Sequence, residues 1–106
     1  YDTFAPIGPA LTVTEFAPND AKLELHVNGI RKQQSTTRNF IFELEELLTF
    51  ITSMMTLYPG DVVSTGTPAD VGIFRNPPDL LKPGDSVEAS IEGIGTLSNH
   101  TVPEIE

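Results

Sequence analysis

Asn28-Gly29 restricts the fold of this chain more than any other pair of residues. Both tolerate positive φ, so together they close a type I′ turn, whose twist suits two antiparallel strands. Before the pair, Leu23, Leu25 and Val27 alternate with Glu24 and His26, the period of a half-buried strand. After it, residues 30–36 are largely polar and read as the return strand at a sheet edge. The turn therefore predicts a β-hairpin over residues 23–36.

Other segments extend the pattern. Residues 11–16 alternate apolar and polar and predict a strand, followed by turn chemistry at Pro18-Asn19-Asp20. Leu44, Leu47, Leu48, Ile51 and Met54 recur three and four apart, which predicts a helix from Glu43 to Met54 or Met55. Glu43, Glu45 and Glu46 stand in its first turn, where the helix dipole favours negative charge. Pro59-Gly60 stops it, and residues 61–65 predict a short buried strand. Residues 73–82 form a loop with Pro77-Pro78, and Pro83-Gly84-Asp85 echoes Pro59-Gly60-Asp61. Residues 86–91 and 96–102 predict two strands around Glu92-Gly93-Ile94-Gly95. The sum is an α+β fold, strand-rich, dominated by antiparallel hairpins around one helix.

Charge and composition exclude several functions. The 106 residues suffice for one domain with a small stability margin. The net charge of −9 argues against nucleic acid and against anionic membrane surfaces, and could favour cations. Arg31, Lys32 and Arg38 are too few for a nucleic-acid patch. No apolar run approaches the ~20 residues of a membrane helix. Cysteine is absent, so disulfides and thiolate metal sites are ruled out, which is compatible with a cytoplasmic location. The chain starts at Tyr1 and runs straight into Phe4-Ala5-Pro6-Ile7, as if entered in the middle of a domain.

The candidate ligand loop is Gly66-Thr67-Pro68. Glycine lets a backbone approach a ligand closely, and the Thr67 hydroxyl and N–H can both donate to an anion or carbonyl. The plain alternative is an ordinary turn in which Pro68 holds Thr67 extended. No Gly-Lys-Ser/Thr follows, so the loop is not a triphosphate cradle, and there is no Gly-x-Ser-x-Gly. Asp2, Asp61, Asp70 and Asp85 are possible Mg²⁺ ligands, but Asp61 and Asp85 sit in Pro-Gly-Asp turns, where aspartate is normal. The three glutamates of the helix read as a solvated face. His26 and His100 stand without a catalytic partner.

Taken in order, several segments resemble one family. They are Tyr1-Asp2-Thr3-Phe4-Ala5-Pro6-Ile7-Gly8-Pro9, Val27-Asn28-Gly29 with Arg31 and Gln33, and Ile41-Phe42 before the helix. Then come the run from Leu57 through Pro59-Gly60-Asp61 to Gly66-Thr67-Pro68, the segment 81–88, and Ile91-Glu92-Gly93-Ile94-Gly95-Thr96-Leu97. The chain resembles the C-terminal half of the fumarylacetoacetate hydrolase family, over nearly its whole length. It is most similar to the smaller members, such as acylpyruvases, oxaloacetate decarboxylases and 2-hydroxyhepta-2,4-diene-1,7-dioate isomerases.

The resemblance implies a mixed β-sandwich-like roll, usually in a homodimer, with residues 1–106 as the C-terminal portion of a catalytic domain whose N-terminal portion is absent. It implies a Mg²⁺, Mn²⁺ or Ca²⁺ ion that chelates a small 2-oxo acid substrate and supports C–C cleavage, decarboxylation or enol–keto shift. C–C hydrolysis or decarboxylation of a 2-oxo or β-diketo acid comes first, and isomerisation of an unsaturated dicarboxylate in aromatic catabolism is the alternative. Gly66 and Thr67 would contact the substrate carboxylate or carbonyl, and Thr3 would lie beside the metal site. The family's metal carboxylates, lysine and His–Glu dyad lie N-terminal to the matching segments, so no catalytic or metal-ligating residue is assigned within this chain. The expectation is that the chain alone has no metal site and no activity. A reading from another class is an inactive fragment or small β-rich module that binds or dimerises.

Overall fold

The computed structural model describes residues 2–13 and 20–103. Its centre is a four-stranded antiparallel sheet: β1 (Lys22–Val27), β2 (Ile30–Thr36), β3 (Ser86–Ile91) and β4 (Gly95–His100), in the order β2-β1-β3-β4. The expected hairpin forms. Asn28 and Gly29 adopt φ of 52° and 76°, as a type I′ turn requires, and β2 is an edge strand. The second hairpin joins β3 and β4 where expected, with the last strand starting and ending slightly earlier than the sequence suggests.

Register sorts the side chains into two faces. Leu23, Leu25 and Val27 pair with Ile91, Ala89 and Val87, and Ala89 pairs in turn with Leu97, which makes one face apolar. Glu24, His26, Ser90 and Glu88 fall on the opposite face, so His26 is an ordinary outward strand residue. The β1–β2 register slips between Leu25 and His26: Leu25 faces Gln33, His26 faces Arg31, and Lys32 is the extra residue. This bulge keeps Gln33 on the apolar face and bends the edge strand.

The helix, α1 (Leu44–Met54), forms as its periodicity predicts. The Glu43 N–H donates to Glu46 Oε2 at 3.1 Å, satisfying one orphan donor at the N-terminus. Its apolar stripe is largely uncovered, with Met54 63 % exposed. The two Pro-Gly-Asp turns are geometric twins. Asp61 and Asp85 N–H each donate to the carbonyl three residues back at 3.0 Å. Each aspartate carboxylate then accepts the N–H of that same earlier residue, Tyr58 or Lys82, at 2.7 Å. Gly60 and Gly84 supply the positive φ that a type II turn needs after proline.

Two expected strands do not form as read. Residues 61–65 join no ladder, and Val62 is 74 % exposed rather than buried. Among the described residues the sheet edges, β2 and β4, lie elsewhere, so the segment has no strand to pair with. Residues 11–13 are likewise unpaired, with Leu11 and Val13 exposed; residues 14–16 and the turn at Pro18-Asn19 lie outside the described residues. The loop at residues 73–82 is preceded and begun by a 3-10 turn at Gly72–Phe74. Among the described residues one sheet is present, and Ala21, 8 % exposed, is the sole buried one.

Candidate functional site

Residues 66–82 return across the apolar face of the sheet and enclose a groove of about 570 Å³. Leu25, Val27 and Val87 line it from the sheet, and Thr67, Asp70 and Arg75 from the returning segment. Gly66 turns the chain with φ 107°, a conformation glycine adopts freely. Asp70 follows at φ 71°, a left-handed aspartate that the surrounding bonds must hold in place. Those bonds come from side chains. Gln33 Nε2 donates to the Pro68 and Ala69 carbonyls, both at 2.9 Å, and lies 3.4 Å from Thr67 Oγ1. Arg75 Nε donates to the Asp70 carbonyl at 3.0 Å, and its Nη2 donates to the carbonyl of Lys32 in the bulge.

The segment also closes on itself. The Asp79 and Arg75 N–H groups both donate to the Gly72 carbonyl, at 2.9 and 3.2 Å. Lys32 Nζ lies 2.6 Å from Asp79 Oδ2, and Arg75 Nη1 3.5 Å from it. The Lys32 hydrogen bond and charge, with lesser help from Arg75 and Lys82, hold the Asp79 carboxyl below the usual carboxylate range. The pair is partly exposed, so it positions the segment more than it stabilises it.

The sequence-predicted site residues are distributed unevenly. Thr67 lines the groove, with Gly66 next to it. No backbone N–H from residue 62 to residue 69 donates to another described residue, so this stretch keeps its donors available. Thr3 is exposed at φ 66° and makes no hydrogen bond to Gly66 or Thr67. Asp61 and Asp85 spend a carboxylate oxygen in their turns, as their sequence context suggests. Among the described residues no group of three His, Cys, Asp or Glu side chains converges, so they do not by themselves fit a divalent cation. Arg75 and Asp79 carry no signal in the sequence, and Gln33 is visible there as a motif residue without a task.

Comparison with known proteins places this arrangement. The model of the fumarylacetoacetate hydrolase C-terminal region matches residues 1–102. The mitochondrial oxaloacetate tautomerase of Bos taurus is 45% identical over 96% of this chain and 33% of its own length. The structure of 2-hydroxyhepta-2,4-diene-1,7-dioate isomerase from Mycobacterium marinum superposes with a TM-score of 0.86 at 42% identity, over 100% of this chain and 39% of that one. That of maleylpyruvate hydrolase from Sphingobium sp. SYK-6, in complex with manganese (II) ion and pyruvate, gives 0.84 at 32% identity, over 96% and 37%. The chain thus spans roughly a third of the length of these relatives. The family match over residues 1–102 and the superposition over the whole chain show that the chain belongs to the fumarylacetoacetate hydrolase family.

Proposed function

We propose that the protein carrying this chain is an enzyme acting on small 2-oxo acids, and that residues 1–106 form the C-terminal portion of its catalytic domain. The observation that carries the reading is the open Gly66-Thr67 corner on the groove, in a chain of this family. Named relatives interconvert, isomerise or hydrolyse acids of this kind. Their reactions share a demand for stabilising negative charge on an oxygen next to a carbonyl carbon. Preorganised donors aimed at such an oxygen are among the largest contributions an enzyme makes. Thr67 supplies a hydroxyl and an N–H donor, and Gly66 leaves room for the substrate carboxylate or carbonyl to reach them. Thr3 is proposed as a third substrate-binding residue, beside the metal site, although it does not line the groove itself.

The tautomerase at 45% identity makes enol–keto proton transfer the first reading, while an isomerase and a fumarylacetoacetate hydrolase stand level at 42%. Decarboxylation and C–C hydrolysis are the second. A divalent cation, Mg²⁺, Mn²⁺ or Ca²⁺, belongs to this proposal through the manganese-containing relative, with ligands from outside the described residues. A homodimer and a cytoplasmic location are also proposed, the latter against a relative named as mitochondrial. No helix among the described residues is long and apolar enough to cross a membrane.

The test uses the full-length protein with Mg²⁺, following oxaloacetate enol–keto interconversion and decarboxylation, and acylpyruvate cleavage. At least one activity is expected. Thr67→Val is expected to lower its kcat/KM by about 10–150-fold, the equivalent of a charge-assisted hydrogen bond of about 1.5–3 kcal/mol. No activity on any of these acids, or an unchanged kcat/KM in the variant, overturns the reading.

A further inference from the structure

Gln33 reaches from the edge strand to the candidate loop and holds it beside Thr67. Its Nε2 carries two hydrogens and faces three oxygens: the Pro68 and Ala69 carbonyls at 2.9 Å each, and Thr67 Oγ1 at 3.4 Å. Two carbonyl acceptors fix which end of the carboxamide points at the loop, since only the nitrogen can donate to them. The third contact is long and shared. An amide nitrogen cannot accept a hydrogen bond, so the Thr67 hydroxyl cannot donate to Gln33 Nε2 and its hydrogen is left for another acceptor. A threonine so placed is a donor toward whatever lies on its other side.

The support continues behind Gln33. The Leu25/His26 register slip makes Lys32 the extra residue and leaves Gln33 opposite Leu25 on the groove side of the sheet. Arg75 Nη2 takes the Lys32 carbonyl while its Nε takes the Asp70 carbonyl. The edge strand and the loop are therefore stapled in both directions, once by a side chain of each.

We infer that Gln33 is a positioning residue for the reaction: by holding the Pro68 and Ala69 carbonyls it sets the place of Thr67 and keeps the Thr67 hydroxyl a donor to the carboxylate or carbonyl of a 2-oxo acid. This rests on the reading of the Gly66-Thr67 corner given above. Misplacing a substrate-binding group by about 1 Å can cost on the order of 100-fold in rate.

A double-mutant cycle on the full-length protein tests it, with oxaloacetate as the probe. Gln33→Leu and the isosteric Gln33→Glu, which at pH 8 has no proton to donate, are each expected to lower kcat/KM about 10- to 100-fold. In a Thr67→Val background, Gln33→Leu is expected to cause a smaller fall than in the wild type, because the hydroxyl it positions is already gone. Wild-type kcat/KM in both Gln33 variants overturns the inference, and so does a full additional loss in the Thr67→Val background, the mark of a general structural role. Should the wild-type protein act on no 2-oxo acid, the functional reading fails. Limited proteolysis across residues 66–70 then decides what remains: faster cleavage in Gln33→Leu and Gln33→Glu upholds the positioning of the loop, and unchanged cleavage overturns it.

Discussion

Replacing Gly72 with alanine puts a Cβ 2.1 Å from the Asp79 carbonyl oxygen and 3.2 Å from its carbon. Both are backbone atoms, so no flexible side chain can absorb the clash. Gly72→Ala is expected to destabilise the protein by about 1–3 kcal/mol, as overpacking does. It should also open the Asp79 N–H bond to the Gly72 carbonyl. Chemical denaturation of the full-length protein measures the loss, and an unchanged midpoint contradicts the close approach. Nothing in the sequence marks Gly72 in this way, because the partner backbone is fixed by the path of the whole loop. Gly66 and Thr67 are different: small residues and a hydroxyl before proline announce local chemistry without reference to the fold. Gln33, 35 residues from Pro68, and Arg75, 43 residues from Lys32, could be given a task only once the fold had brought them together.

The elements follow local rules wherever local rules suffice. The Asn28-Gly29 hairpin, α1 and the twin Pro-Gly-Asp turns all form as their residues dictate. Residues 61–65 do not become a strand, since a ladder needs a neighbour and apolar residues cannot supply one. Asn28 also couples two elements. Its Nδ2 donates to Asp85 Oδ1 at 2.8 Å, and its Oδ1 accepts the Ser86 N–H at 2.9 Å, tying the first hairpin to the start of β3. Asn28→Ala is expected to cost about 1–2 kcal/mol from the left-handed backbone alone, measured by denaturation of the full-length protein at pH 7. The coupling adds a pH dependence. The Asn28 hydrogen bond, then the Lys82 N–H, hold the Asp85 carboxyl below its ordinary value. A carboxyl lowered in the folded state contributes stability above its unfolded value, near 3.9, and loses it as pH falls through the folded value. The stability gap between wild type and Asn28→Ala should therefore narrow below about pH 3.9. A gap constant from pH 7 to pH 2 contradicts the Asn28–Asp85 link.

The molecule as a whole is expanded. Its radius of gyration is 15.7 Å, against about 13 Å for a compact domain of this length. Its accessible surface is 8948 Å², against roughly 5,800 Å² for a monomer of its mass. The excess coincides with a largely exposed helix stripe and with exposed apolar side chains such as Leu11, Val62 and Phe74. The isolated chain is therefore expected to bind an apolar dye such as ANS strongly and to melt without a cooperative transition. A sharp thermal transition with no dye fluorescence contradicts this. The sequence hints at the shortfall through its amphipathic stripes. It could not say that those stripes would fail to meet, since each reads as half-buried on its own.

The bulge at Lys32 has a consequence for self-association. An edge strand offers a row of open backbone groups on which another copy can polymerise. At β2 that row is interrupted: Lys32 breaks the ladder spacing, and its carbonyl is already taken by Arg75. A foreign strand approaching this margin meets one missing acceptor, a kinked backbone and the charges of Arg31 and Lys32. The same staple that shapes the groove thus works as a guard against cross-β growth, on a chain whose exposed apolar side chains would otherwise invite it.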